Sequence, residues 1–264
     1  MADLLPLDPH ALAVLLDALK DVDALNARAR GRRAEPLPGT PGAADLVVHP
    51  EARWILSSAG MSIAVAVDHL LAWRQVMRAG VIPTYSGPTL LRGVLESAVM
   101  TRWLLEPGAD SATRVARGVS AQLADYDERR KFEDAARRNT PGLPDPTPPG
   151  KSARARHAEL VAARDASGIA KVVVPPWVEL CATYGPKGHE NLEWLYRLLS
   201  AFAHGKPWAL HATVMGPSAP VGSVGGLRGG TVAASETMLA GATDLLATLT
   251  RVAVGEFEVY VGSR

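Results

Sequence analysis

Apolar side chains return every three or four residues along five long segments, and each segment is bounded by residues that start or stop helices. That periodicity commits the chain to packed helices, since a stripe at this spacing buries itself only if the backbone coils at 3.6 residues per turn. The last segment, about Thr231 to Tyr260, shows it in simplest form. Met238, Leu239, Ala242, Leu245, Leu246, Leu249 and Val252 share one face. Asp8-Pro9 reads as an N-cap followed by proline at the first helical position. Leu12, Leu15, Leu16, Leu19, Val22 and Leu25 then follow at helical spacing as far as Gly31.

A second helix is predicted from about Ala52 to Arg78, stopped by Gly80 and apolar nearly all round, as a buried central helix would be. Ser86-Gly87-Pro88 opens a third, closed by Pro107-Gly108. A fourth runs from about Ser111 to Arg138, capped by Asp110 or Ser111. Its second half, Asp125 to Arg138, holds ten charges of both signs in fourteen residues. With Glu133/Arg137 and Asp134/Arg138 at i,i+4, it reads as a solvated arm. Shorter helices are expected at about Ala153–Ala166, after Pro175-Pro176, and at Glu190–His204. Trp208–Met215 and Pro220–Leu227 could pair as a small β-hairpin. The fold expectation is all-α, a multi-helix bundle in one domain over 1–264, with Pro-rich flexible loops at 32–50 and 140–151.

Composition narrows the function classes. There are 28 Lys+Arg against 27 Asp+Glu, a net charge of +1. The balance argues against a nucleic-acid tail, a polybasic membrane patch or an acidic disordered chain. A single cysteine, Cys181, excludes a disulfide framework and any multi-Cys zinc site. No metal and no cofactor is expected. The N-terminus has no positive region before an apolar stretch, and Trp54–Val67 is too short and too interrupted by Ser and Gly for a membrane span. A cytoplasmic protein is expected. Arg outnumbers Lys 22 to 6, as in high-GC bacteria.

Two constellations could carry chemistry. Glu193, Arg197, Ser200 and His204 form a polar stripe on one helix, opposite Leu192, Leu195, Leu199 and Phe202. Arg197 and His204 are seven residues apart and so return to within roughly 20° of each other. His204 also ends its helix against Gly205, where the dipole favours a cation. The second constellation is charge inside apolar helices: Asp68 and His69 in the second helix, Arg92 and Glu96 at i,i+4 in the third. Arg92 and Glu96 are expected to be largely buried as an ion pair, because an unpaired buried charge is costly. Arg197 is expected to be partly buried against a carboxylate, Glu96 or Asp68. Together these groups could instead line one polar cavity between helices.

The segments Pro88–Pro107 and Tyr196–Trp208 resemble a family of all-helical proteins common in actinobacteria, which pairs an Arg…Glu helix with a later Tyr-Arg-x-x-Ser…His-Gly helix. The resemblance covers roughly residues 55 to 215. It brings Tyr196 into the candidate site and implies a fold without an activity. The Arg197-x6-His204 spacing is also similar to the Arg-x4–6-His motif of HEPN-domain ribonucleases, helical bundles that dimerise and cleave RNA without metal. By that resemblance His204 is the general base on a 2′-hydroxyl, Arg197 stabilises the phosphorane, and the protein is a homodimer. Two other functions stay open: a small-molecule enzyme or binding protein with a polar pocket between helices, and a non-catalytic helical interaction protein.

Overall fold

A computed structural model of the chain describes residues 8–31, 35–80, 83, 85–139, 152–209, 221–224, 227–229 and 236–262. The fold is all-α. Helices run in the order α1 (Pro9–Ala18), α2 (Val22–Arg30), α3 (Pro41–Val48), a 3₁₀ turn (Pro50–Ala52), α4 (Arg53–Arg78), α5 (Ser86–Leu105), α6 (Ser111–Asn139), α7 (Ala153–Ala166), α8 (Trp177–Thr183) and α9 (Glu193–Ala203). A two-stranded antiparallel hairpin, β1 (Val221–Val224) with β2 (Leu227–Gly229), precedes α10 (Glu236–Val261). The hairpin thus falls within 221–229, where Val221–Val224 pairs with Leu227–Gly229 and not with Trp208–Met215. Residues 140–151 and 210–220 lie outside the described residues, and with them the expected Pro-rich loop and most of Trp208–Met215.

Where a single domain was expected, the chain groups into two compact units, each assembled from separate stretches of sequence. The first unit takes residues 1–31, 62–100 and 176–255. Asp8 caps α1 as expected, its carboxylate accepting from the His10 and Ala11 amides. The helix expected to reach Gly31 breaks at 19–21 into α1 and α2. The turn keeps Leu19 and Val22 buried, so the apolar spacing runs on through it. Ile63, Leu70, Trp73 and Met77 of α4 pack the core with Leu91, Leu95 and Val99 of α5 and with Leu239, Leu246 and Leu249 of α10. Trp73 donates its indole N–H to Thr243 Oγ1 at 2.9 Å. Gly87 makes room for that ring, since a Cβ there would lie 2.6 Å from it.

The second unit takes residues 32–61, 101–175 and 256–264. Its centre is a buried ion pair: Asp45 of α3 holds Arg114 of α6 through two 2.9 Å bonds and accepts from the Tyr260 hydroxyl of α10. This corrects the expectation of a flexible 32–50 loop. The Leu37 amide donates to Val261 O, Thr40 caps α3, and Asp45 is only 1% exposed. The charged half of α6 is mostly exposed or half-exposed, as expected, with Glu133 the buried exception among its charges. Glu133 is buried, pairs with Arg129, and both its oxygens accept the Ala153 amide at the start of α7. Asp134 pairs with Arg137 and Arg154 rather than Arg138.

The residues Pro50–Arg78 and α10 are each long and apolar enough, by length and composition, to cross a membrane. The apolar stretch that starts at Trp54 runs past Asp68 and His69 into Leu70–Trp73, so shortness does not exclude it. Both helices supply core side chains to the units described above.

Candidate functional site

Helix α9 is strongly two-faced. Leu192, Leu195, Leu199 and Phe202 are buried, as the spacing predicts, and fix which residues face outward. The Asn191 side chain accepts the Glu193 amide at the helix start. The end is a Schellman turn. Lys206 N–H returns to Ala201 O, Gly205 N–H returns to Phe202 O, and Gly205 takes a φ of 60°. His204 is thereby fixed as the C-cap and projects from the surface.

The two residues chosen from spacing part company here. Arg197 does not meet Glu96 or Asp68. Its Nε donates to Glu193 Oε1 at 2.7 Å, one turn back on the same helix, and its side chain is 59% exposed. An exposed i,i+4 pair of this kind contributes only about 0.3–0.5 kcal/mol. His204 is exposed as well, and the arginine it meets is Arg92 of α5, whose Nη1 lies 3.1 Å from His204 Nε2. Arginine can only donate, so a hydrogen bond here requires that the Nε2 lone pair accept. Arg92 also donates from Nε to Glu96 Oε1 at 2.8 Å, and its guanidinium lies 5.7 Å from the centre of the Tyr196 ring. Arg92 and Glu96 are a genuine pair and largely buried, as expected, with side chains 21% and 22% exposed.

Tyr196, Arg197, Ser200, Ala201, His204, Lys206 and Trp208 line an open depression of 270 Å³. His69, Arg92 and Glu96 are not among its lining residues. His69 packs its ring over Gly93 of α5, where a Cβ would come within 2.5 Å of it, and hydrogen-bonds Val65 O through Nδ1. Asp68 is exposed and has no partner among the described residues, so it stands apart from the cluster. Cys181 is buried near Glu96. Burial, and then the Glu96 charge, push its thiol up to about 12, so it stays protonated and serves as core. Lys206 and the half-exposed Trp208 complete the depression. Sequence reading placed them in the Tyr196–Trp208 segment without giving them a role, because their position depends on the turn at Gly205. No family model, curated protein or solved structure matches this chain.

Proposed function

We propose that the α9 face is a phosphate-directed site, similar in its chemistry to HEPN ribonucleases, that cleaves RNA without metal in a cytoplasmic bacterial homodimer. The observation that carries this reading is the Arg92–His204 contact. It puts the His204 imidazole beside a cation that Glu96 holds and that lies over the Tyr196 ring. An RNA 2′-hydroxyl replacing Arg92 at Nε2 would pass its proton to His204 while its oxygen attacks the adjacent phosphorus; the bond from phosphorus to the 5′-oxygen then breaks, leaving a 2′,3′-cyclic phosphate, and the departing 5′-oxygen takes the proton back from the imidazolium. Arg92, displaced by little, then faces the charge gathering on the phosphorane oxygens. Arg197 sits on the rim and swings from Glu193 at small cost, Lys206 adds a second mobile cation, and Trp208 offers a face for a base. An open depression suits a polymer better than it suits an enclosed metabolite.

The test is cleavage of single-stranded RNA in excess chelator by the wild type, His204→Ala, Arg92→Gln and Arg197→Ala. His204→Ala and Arg92→Gln should lose cleavage with unchanged melting curves, and RNA carrying 2′-deoxy sugars should resist the wild type. Full activity in His204→Ala, or an inert wild type, overturns the reading. Exposure of Trp194 and Trp208 favours the competing reading of a non-catalytic interaction face, which an inert wild type would leave standing.

A further inference from the structure

In the second unit, the start of α4, the middle of α6 and one face of α7 wall a cavity of 530 Å³, within the size range of small-molecule sites. Two aromatic rings shape it. Trp54 and Tyr126 meet edge to face, with centroids 6.2 Å apart at 80°. The Trp54 indole N–H is buried and has no acceptor among the described residues. The Tyr126 hydroxyl has no hydrogen-bond partner among the described residues. Charge at the mouth is unbalanced. Arg156 is matched by Glu159 at 3.3 Å. Arg53, whose guanidinium lies 5.1 Å from the Trp54 ring centre, has no carboxylate partner among the described residues. Two cations and one anion leave a net positive rim around an aromatic interior with unused hydrogen-bond donors.

We propose that this cavity binds a small aromatic carboxylate. The planar body packs against Trp54 and Tyr126, where aromatic contacts add to burial. The carboxylate meets Arg53 at the mouth, as a planar fork suits a carboxylate. The site shares no lining residue with the α9 depression, so it stands or falls independently of the RNA reading.

The experiment is isothermal titration of the full chain with naphthalene-2-carboxylate and with its neutral counterpart, naphthalene-2-carboxamide. The carboxylate should saturate one site per chain with a dissociation constant tighter than about 1 mM. Arg53→Gln, a substitution at an exposed position, should weaken the carboxylate about tenfold and leave the carboxamide unchanged, since only the charge-assisted contact is lost. Ala163→Phe, which fills the cavity from a half-exposed wall position, should abolish binding of both without lowering the melting temperature. Absence of saturable binding by either compound overturns the proposal. So does equal affinity for the two compounds in the wild type, or undiminished carboxylate binding in Arg53→Gln or in a folded Ala163→Phe.

Discussion

Asp45→Asn probes the buried Asp45–Arg114–Tyr260 cluster with little change of shape. The carboxylate is 1% exposed and receives two bonds from Arg114 and one from Tyr260, each 2.9 Å. An asparagine keeps one acceptor and turns an amide toward a donor that it cannot satisfy. Arg114, whose side chain is 12% exposed, is left with a buried charge. Removing one partner of a buried pair costs about 3–5 kcal/mol. Arg114 keeps its bond to the Ala109 carbonyl, so the lower end, about 3 kcal/mol, is expected. In urea, that should lower the unfolding midpoint by about 1 M or more. The pH dependence supplies a second check. Burial pushes the Asp45 carboxyl up, but Arg114, the neighbouring Ser111 hydroxyl and Tyr260 favour the ionised form more, and its pKa lies below the usual carboxylate value. A carboxylate so depressed stabilises the fold fully above its unfolded pKa of about 3.9 and loses that contribution as the pH falls through its folded value. The gap between wild type and variant should therefore be constant near neutrality and close in acid. A midpoint shift under about 0.3 M, well short of what a stranded buried charge implies, or a gap that widens in acid, would refute the argument.

Glu133→Ala should free the start of α7, because the Ala153 amide loses both carboxylate oxygens that hold it. A cost of about 1 kcal/mol is expected, as for other lost helix caps. Faster amide exchange should be confined to α7 and the end of α6, and unchanged exchange there would contradict the assignment. Gly118→Ala should destabilise by about 1–3 kcal/mol through overpacking, although the same change in an open helix is favourable by about 1 kcal/mol. The new Cβ would lie 2.5 Å from Ile55 Cγ1 and 2.9 Å from the Ile55 backbone nitrogen, which cannot step aside. Denaturation that finds the variant more stable than wild type would mean that α4 and α6 are less closely packed at this point.

Much of the fold was legible because its signals are local. Asp8-Pro9, Gly80, Ser86-Gly87-Pro88 and Asp110 act within a few residues, and the helices start or stop where these signals stand. The misses have non-local causes. Helix α3 is eight residues long and sits among Pro and Gly, too short to be stable on its own propensity. What secures it is Arg114, 69 residues away, and Tyr260, 215 residues away. Within the charged half of α6, Glu133 looked solvated because charge is ordinarily solvated. Glu133 is buried by a helix that begins 20 residues later. The break between α1 and α2 left no trace in the apolar pattern, because the turn returns Val22 to the same side as Leu19.

The candidate site shows the same limit at the level of chemistry. Helical spacing placed Glu193, Arg197, Ser200 and His204 on the side of α9 opposite its buried leucines, where they stand. It could not make Arg197 and His204 a pair. Seven residues bring two side chains back to nearly the same angle but leave them about 10.5 Å apart along the axis, two turns of rise. Each therefore finds a nearer partner. Arg197 reaches back one turn to Glu193, whereas His204 takes Arg92 from α5, 112 residues away in sequence. The arginine that a motif would name and the arginine that touches the imidazole are different residues. In the proposed reaction Arg92 is the better placed of the two, because Glu96 and Tyr196 already hold it beside the ring. Arg197, which must first leave Glu193 and cross solvent, can contribute only after a ligand has arrived.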